Sequence, residues 1–265
     1  MHSKRKPALK RNFSFARTWL VAVATVITLL LGVFGGSPAA ATSSVPIWAG
    51  TYNSGTLSEF VATSWNNVPK APAVVSAPAF EGPHAGVYVI PAGGARSESV
   101  PKLRNLREGD SMYFGWSTRL GSGFPLNISN WQVITQWKNN GIGSPPLELK
   151  IANGYFMLDG GYGWPGNTTS VRSRLASHMI GAAHANVWDR WIAHIKFSSV
   201  ASIGSVDLWR NGIKVFTGLH MPGGTLYPRM TSYLKLGYYR DKAIRTQGTV
   251  YQDDWKVGPT FASVH

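Results

Sequence analysis

Carboxylates are scarce in this sequence: 12 Asp and Glu stand against 26 Lys and Arg in 265 residues, and there is no cysteine. Hydrolysis of a glycosidic bond by two placed acids requires a carboxylate pair. The only closely spaced acids are Glu108 with Asp110, in a Gly-containing turn, and Asp253-Asp254 near the C-terminus. The alternating E-x-D-x-E strand of jelly-roll glucanases is absent, as are an H-E-x-x-H metal motif and a G-x-S-x-G nucleophile turn. Thiolate catalysis, cysteine zinc sites and a disulfide framework are excluded outright. A polysaccharide can also be cut with few acids and many bases. Where each sugar carries a C6 carboxylate, removal of the C5 proton lets β-elimination expel the O4-linked neighbour. That reaction needs cations or amides to neutralise the carboxylate and a Tyr or His to move protons.

The chain supplies such residues on short alternating segments separated by Gly, Pro, Asn and Asp, the pattern of an all-β protein. Expected strands cover residues 86–91, 111–120, 131–138, 147–152, 155–158, 191–197, 205–210, 233–239 and 250–257. Asn153-Gly154 and Asn211-Gly212 read as two-residue hairpin turns. A period of two places Trp131, Val133, Thr135 and Trp137 on a core face, with Gln132, Ile134, Gln136 and Lys138 opposite. By the same rule Glu148 and Lys150, His194 and Lys196, and Tyr233, Lys235 and Tyr239 face away from the core. Four strands thus present a Lys on the non-core face. Strand by strand this is an ordinary wetted surface. Taken together, with amides and tyrosines and few acids, it describes a basic sheet suited to an anionic polymer. No linker or repeat divides the body, so the expected architecture is a single all-β jelly-roll sandwich, concanavalin-like, with a concave binding sheet.

The net charge of +14 has two sources. Residues 1–41 hold six bases and no acid, followed by an apolar run from Trp19 to Phe34 and then Ser37-Pro38-Ala39-Ala40-Ala41, the form of a secretory signal peptide. The remaining body, residues 42–265, keeps 20 bases against 12 acids. It is expected outside the cell as a monomer, with an anionic polysaccharide as partner and neither nucleic acid nor membrane once the leader is removed. Asn127-Ile128-Ser129 and Asn167-Thr168-Thr169 also match glycosylation sequons.

Several segments in order resemble a known family. These are Arg96-Ser97-Glu98, Gln136-Trp137-Lys138, the run from Trp188 to Lys196, the hairpin around Asn211-Gly212, and Tyr233-Leu234-Lys235-Leu236-Gly237-Tyr238-Tyr239-Arg240. Together they are similar to polysaccharide lyases of the heparin lyase I/glucuronan lyase type. They are more distantly similar to alginate lyases with R-x-E-x-R, Q-x-H and Y-F-K-x-G-x-Y motifs. The resemblance implies that Arg96 and Gln136 neutralise a uronate carboxylate, that Tyr239 moves the catalytic proton and that Lys235 binds the chain. Glu98, Lys138, Lys150, His194 and Lys196 complete the expected substrate-binding set. Two positions depart from the motifs: Val100 stands where the second Arg of R-x-E-x-R would be, and Lys138 replaces the histidine. A lysine at its ordinary pKa of ~10.4 is a poor base unless desolvated or crowded by cations, which favours Tyr239 as both base and acid. His84, from a loop, is the alternative source of an imidazole. Asp253-Asp254 reads as a strand-end turn, and the resemblance adds a structural calcium at Asp254 with no cofactor in the chemistry. The Lys138 departure keeps a second function open, a non-catalytic binding protein for acidic polysaccharides.

Overall fold

The computed structural model describes residues 44–66, 71–163 and 174–265. The expected leader and the sequon at Asn167 lie outside them. In chain order the strands are β1 (Trp48–Gly50), β2 (Phe60–Asn66), β3 (Ala73–Val75), β4 (Ala85–Ile90), β5 (Arg96–Pro101), β6 (Ser111–Leu120), β7 (Gln132–Asn139) and β8 (Leu147–Ala152). They continue as β9 (Tyr155–Tyr162), β10 (Arg174–Ala182), β11 (Trp188–Lys196), β12 (Ser205–Arg210), β13 (Ile213–Leu219), β14 (Ser232–Arg240) and β15 (Gly248–Gly258). The described residues add one 3₁₀ turn, Phe261–Ser263. Two antiparallel sheets result. One runs β10-β9-β8-β7-β14-β5-β2; the other runs β13-β12-β11-β6-β15-β4-β3, with β1 also paired to β15. The Asn-Gly turns join β8 to β9 and β12 to β13. Asn153 and Gly154 have φ of 51° and 80°, and Asn211 and Gly212 have 52° and 80°, the left-handed pair that such loops require.

The sheets are held face to face by a tryptophan stack. Trp116 lies parallel to Trp255 at 4.7 Å and beside Trp191 at 6.2 Å, all three on the eight-stranded sheet. Trp137 crosses from the other sheet and meets Trp116 edge-on at 6.2 Å. All four are fully buried. Gln252 adds a polar link between the sheets, donating to the Ile134 carbonyl at 3.0 Å while accepting from Thr118 and Trp255.

Strand β5 was not among the expected strands because its inward positions are serines. Ser97 and Ser99 are fully buried, and Tyr88 donates its hydroxyl to Ser99 at 3.2 Å. Strand β10, exposed or half-buried along its length at the sheet edge, offers no apolar alternation either.

The structure corrects the face assignment in β7. Its register against β8 shifts between Val133 and Thr135, so Ile134 and Thr135 both turn inward: Ile134 joins the core and Thr135 pairs with Leu236 and Leu149. Trp131 and Val133 therefore face outward with Gln136 and Lys138, while Gln132 is buried against the Pro125 carbonyl. A β-bulge inverts parity without any signal in the hydrophobic pattern.

On β14 the expected faces hold: Leu234, Leu236 and Tyr238 are core, and Tyr233, Lys235 and Tyr239 line the outward cleft. Register against β7 also slips between Leu236 and Tyr239, around Gly237 at φ +130°. A Cβ there would sit 2.6 Å from the Ser97 carbonyl oxygen and 2.7 Å from a Tyr88 ring carbon. Gly237→Ala is expected to cost about 1–3 kcal/mol from strain and overpacking. The measurement is the urea midpoint at constant m-value; an unmoved midpoint would show that this segment carries no such constraint.

Candidate active site

The outward face of the seven-stranded sheet holds a cleft of about 1100 Å³. Arg96 enters it from β5, Gln136 and Lys138 from β7, Glu148 and Lys150 from β8, and Tyr233, Lys235 and Tyr239 from β14. Trp131 and Asp241 close the Tyr239 end.

At the centre lies Glu98, 2% exposed. Its carboxylate accepts Gln136 Nε2 at 2.6 Å, and it pairs with Lys235 Nζ at 2.7 Å and Arg96 Nε at 3.1 Å. Three strands thus contribute one group each to a single buried anion. Glu98 was expected to bind substrate; in the structure its carboxylate is engaged by Gln136, Lys235 and Arg96. Because it accepts from the Gln136 amide, that NH₂ must face it and keeps one further N–H for the cleft. Arg96 packs its guanidinium 4.3 Å from the Tyr239 ring centre, and Trp131 meets the same ring edge-on at 4.7 Å. The next residue, Arg240, is fully buried and donates to the carbonyls of Pro91, Thr246, Ile90 and Gly94 at 2.6–3.3 Å. Its guanidinium anchors the end of β14 and so fixes Tyr239 beside it.

Lys138 occupies the motif's histidine position. Burial first, then the Lys235 and Arg96 charges, push its pKa down to about 8. Its ammonium donates to Asn139 Oδ1 at 2.6 Å, the Gly141 carbonyl at 2.7 Å and the Asn139 carbonyl at 3.2 Å. With three acceptors on three protons, its geometry ties down the loop after β7 rather than offering a lone pair.

Farther along the sheet, Lys150 pairs with Asp159, a fully buried residue of β9. Glu148 stands between Gln136 and Asp159 in register. Burial and the neighbouring Asp159 push its pKa up to about 8. Asp159 went unrecognised because the expected strand ended one residue before it.

Three expectations fall elsewhere. His194 and Lys196 lie on β11 of the opposite sheet, on the face away from the core where Ala193 and Ile195 pack. There His194 contacts Ser111 at 2.9 Å and Asp207 at 3.1 Å and stacks on Tyr113. Alternation placed these side chains correctly relative to the core but could not say which sheet they belong to. His84 lies beside Gly55 and is not among the cleft residues. The Asp254 carboxylate is held by Arg190 at 2.8 Å and Lys256 at 2.9 Å, and Asp253 accepts the Phe80 and Glu81 amides. Two cations take the acceptor positions a calcium ion would need, and among the described residues no group of three acids or histidines gathers. This donor set does not fit calcium.

Glu98→Gln removes the charge that holds Lys235 and Arg96, and is expected to lower stability by about 3–5 kcal/mol, read from chemical denaturation. Glu148 has the opposite signature. Its folded pKa of about 8 lies above the ordinary value of 4.5, so the native state retains a proton the unfolded chain loses, and its contribution falls as pH rises through that window. The stability difference between wild type and Glu148→Gln should therefore shift against wild type between pH 4.5 and 8; a flat difference would show that Glu148 ionises as freely folded as unfolded.

Among curated proteins, none matches this sequence. Several solved structures share its fold. An endo-β-1,4-glucuronan lyase from the fungus Trichoderma reesei superposes with a TM-score of 0.66 at 18% identity, covering 83% of this chain and 98% of its own. The catalytic domain of a glycoside hydrolase family 131 protein from Coprinopsis cinerea gives 0.55 at 15% identity, over 83% and 97%. The cellulose-induced protein Cip1 gives 0.52 at 12%, over 80% and 97%. Since these neighbours carry both lyase and hydrolase names, the shared jelly roll by itself does not choose the chemistry. A family model described as polysaccharide lyase, however, matches residues 52–256. With that match over most of its length, the chain belongs to the polysaccharide lyase family.

Proposed function

We propose that this polysaccharide lyase is exported and cleaves a uronic-acid polymer, glucuronan-like rather than alginate or heparin-like, by β-elimination at Tyr239. The observation that carries the reading is the Glu98-centred cluster. It presents Arg96, Lys235 and a free Gln136 N–H in one cleft beside a tyrosine whose ring is packed but whose hydroxyl has no hydrogen-bond partner among the described residues. Three cations, counting Lys138, outnumber the two carboxylates Glu98 and Asp241, so a uronate carboxylate is attracted.

In the proposed step Arg96 and Gln136 hold the C6 carboxylate and stabilise the negative charge that spreads onto it when the C5 proton leaves. The Tyr239 phenolate takes that proton. The freed electron pair forms the C4=C5 double bond, the C4–O4 bond breaks, and the departing oxygen recovers the proton from the Tyr239 hydroxyl. The Arg96 guanidinium against the ring places positive charge where the phenolate forms. A separate base is not required, consistent with Lys138 being committed to the loop carbonyls.

Tyr239→Phe should remove formation of unsaturated, ultraviolet-absorbing ends from polyglucuronate by at least about 10²-fold while polymer binding persists. Turnover retained in that variant would sink the tyrosine mechanism. A wild-type protein that binds polyglucuronate and never produces unsaturated ends would instead establish the non-catalytic binding function.

A further inference from the structure

The elimination chemistry leaves one half of the cleft unused. Glu148 is 6% exposed, lines the cleft and forms no hydrogen bond or ion pair among the described residues. A buried carboxyl group without a partner is costly unless it stays neutral or a ligand supplies one. The groups acting on it are Asp159 from β9, Lys150 from its own strand, Lys138 from β7 and Glu98 from β5. The positive charge of Lys150 is already taken by Asp159. The two halves of the cleft therefore differ. The β5, β7 and β14 side sets three cations against two carboxylates, Glu98 and, at the Tyr239 end, Asp241, while the β8 and β9 side sets one cation against two carboxyl groups.

We infer that the β8–β9 half is a subsite for an uncharged, hydroxyl-bearing sugar face, with Glu148 as its hydrogen-bonding residue, and that it rejects a sugar carrying a second anion such as a sulfate ester. This rests on the reading that the cleft holds a polyuronate. A carboxylic acid can both donate to and accept from a sugar hydroxyl. A sulfate ester has only acceptors and negative charge, and the two cations that act on Glu148 are engaged, Lys150 by Asp159 and Lys138 by three acceptors of the loop after β7. With a pKa of about 8, Glu148 keeps its proton near neutrality and becomes a repelling charge only in alkali. The subsite thus separates sulfated from unsulfated polyuronates, a distinction that the Arg96–Lys235 side, rich in cations, does not make.

The test uses the full chain carrying Tyr239→Phe, so that polymer is not consumed, titrated by calorimetry with polyglucuronate and with the same polymer chemically O-sulfated. Salt near 0.15 M screens non-specific attraction to the basic surface. The sulfated polymer should bind at least ~10-fold more weakly near neutrality, and the gap should widen above pH 8. Glu148→Gln should reduce the widening. Loss of charge from Lys138 in the same pH range acts on both variants, so the contribution of Glu148 is the difference between the widening in the two. Glu148→Ala should weaken the unsulfated polymer ~10-fold, the scale of one lost hydrogen bond. Equal binding of the two polymers overturns the subsite without any need for a Glu148 variant to fold, and a widening undiminished in Glu148→Gln overturns the role of Glu148. Neither outcome bears on cleavage: absence of unsaturated ends with wild type would overturn the elimination reading and leave the binding ratio as a separate result.

Discussion

A single buried carboxylate organises this protein's cleft. Arg96, Lys235 and Gln136 arise on three neighbouring strands, and without Glu98 between them two cations would repel across a partly desolvated space. Glu98 binds all three from beneath, inside the sheet, and leaves the cleft with more positive than negative charge above it. Under the proposed function, a uronate carboxylate entering the cleft meets donors already oriented, so little reorganisation accompanies binding or the development of charge in the elimination. The cost of burying Glu98 is offset by the number of its partners, the condition under which a buried ion is tolerated.

That cluster works only because the sheet around it is rigid and correctly shaped. The tryptophan stack fixes one sheet against the other. The buried Arg240, capped by four carbonyls, pins the end of β14. Gly237 lets β14 approach β5 closely enough for Glu98 to lie under the strand pair. The bulge in β7 turns Trp131 toward Tyr239 instead of into the core. Each feature is a backbone or packing detail, and each acts through the position of a side chain in the cleft.

Much of this was legible in the residues themselves. Alternation separated core from cleft in β8 and β14, and Asn-Gly placed both two-residue turns, because hydrophobic burial and left-handed backbone each leave a local mark. The β7 faces were misread beyond the bulge because an inserted residue leaves Trp131 as apolar as Ile134. Strand β5 was invisible as a strand because its core positions are serines satisfied by tertiary hydrogen bonds. His194 and Lys196 were read as polar positions facing away from the core, which they are, but on the wrong sheet.

The sequence by itself determined the fold class, the family resemblance and the chemical repertoire: a shortage of acids and a surplus of Lys, Arg, Gln and Tyr disfavour carboxylate-pair hydrolysis, and the absence of cysteine excludes thiol chemistry whatever the fold. Only the tertiary structure decided which of those residues share a cleft, that Glu98 is held by three protein groups, and that Lys138 donates to the loop after β7. The physical reason is range. Composition and periodicity act through the nearest few residues, whereas the partners of a buried charge are set by strand pairing between segments that the chain separates by up to about 140 residues, from Arg96 to Lys235.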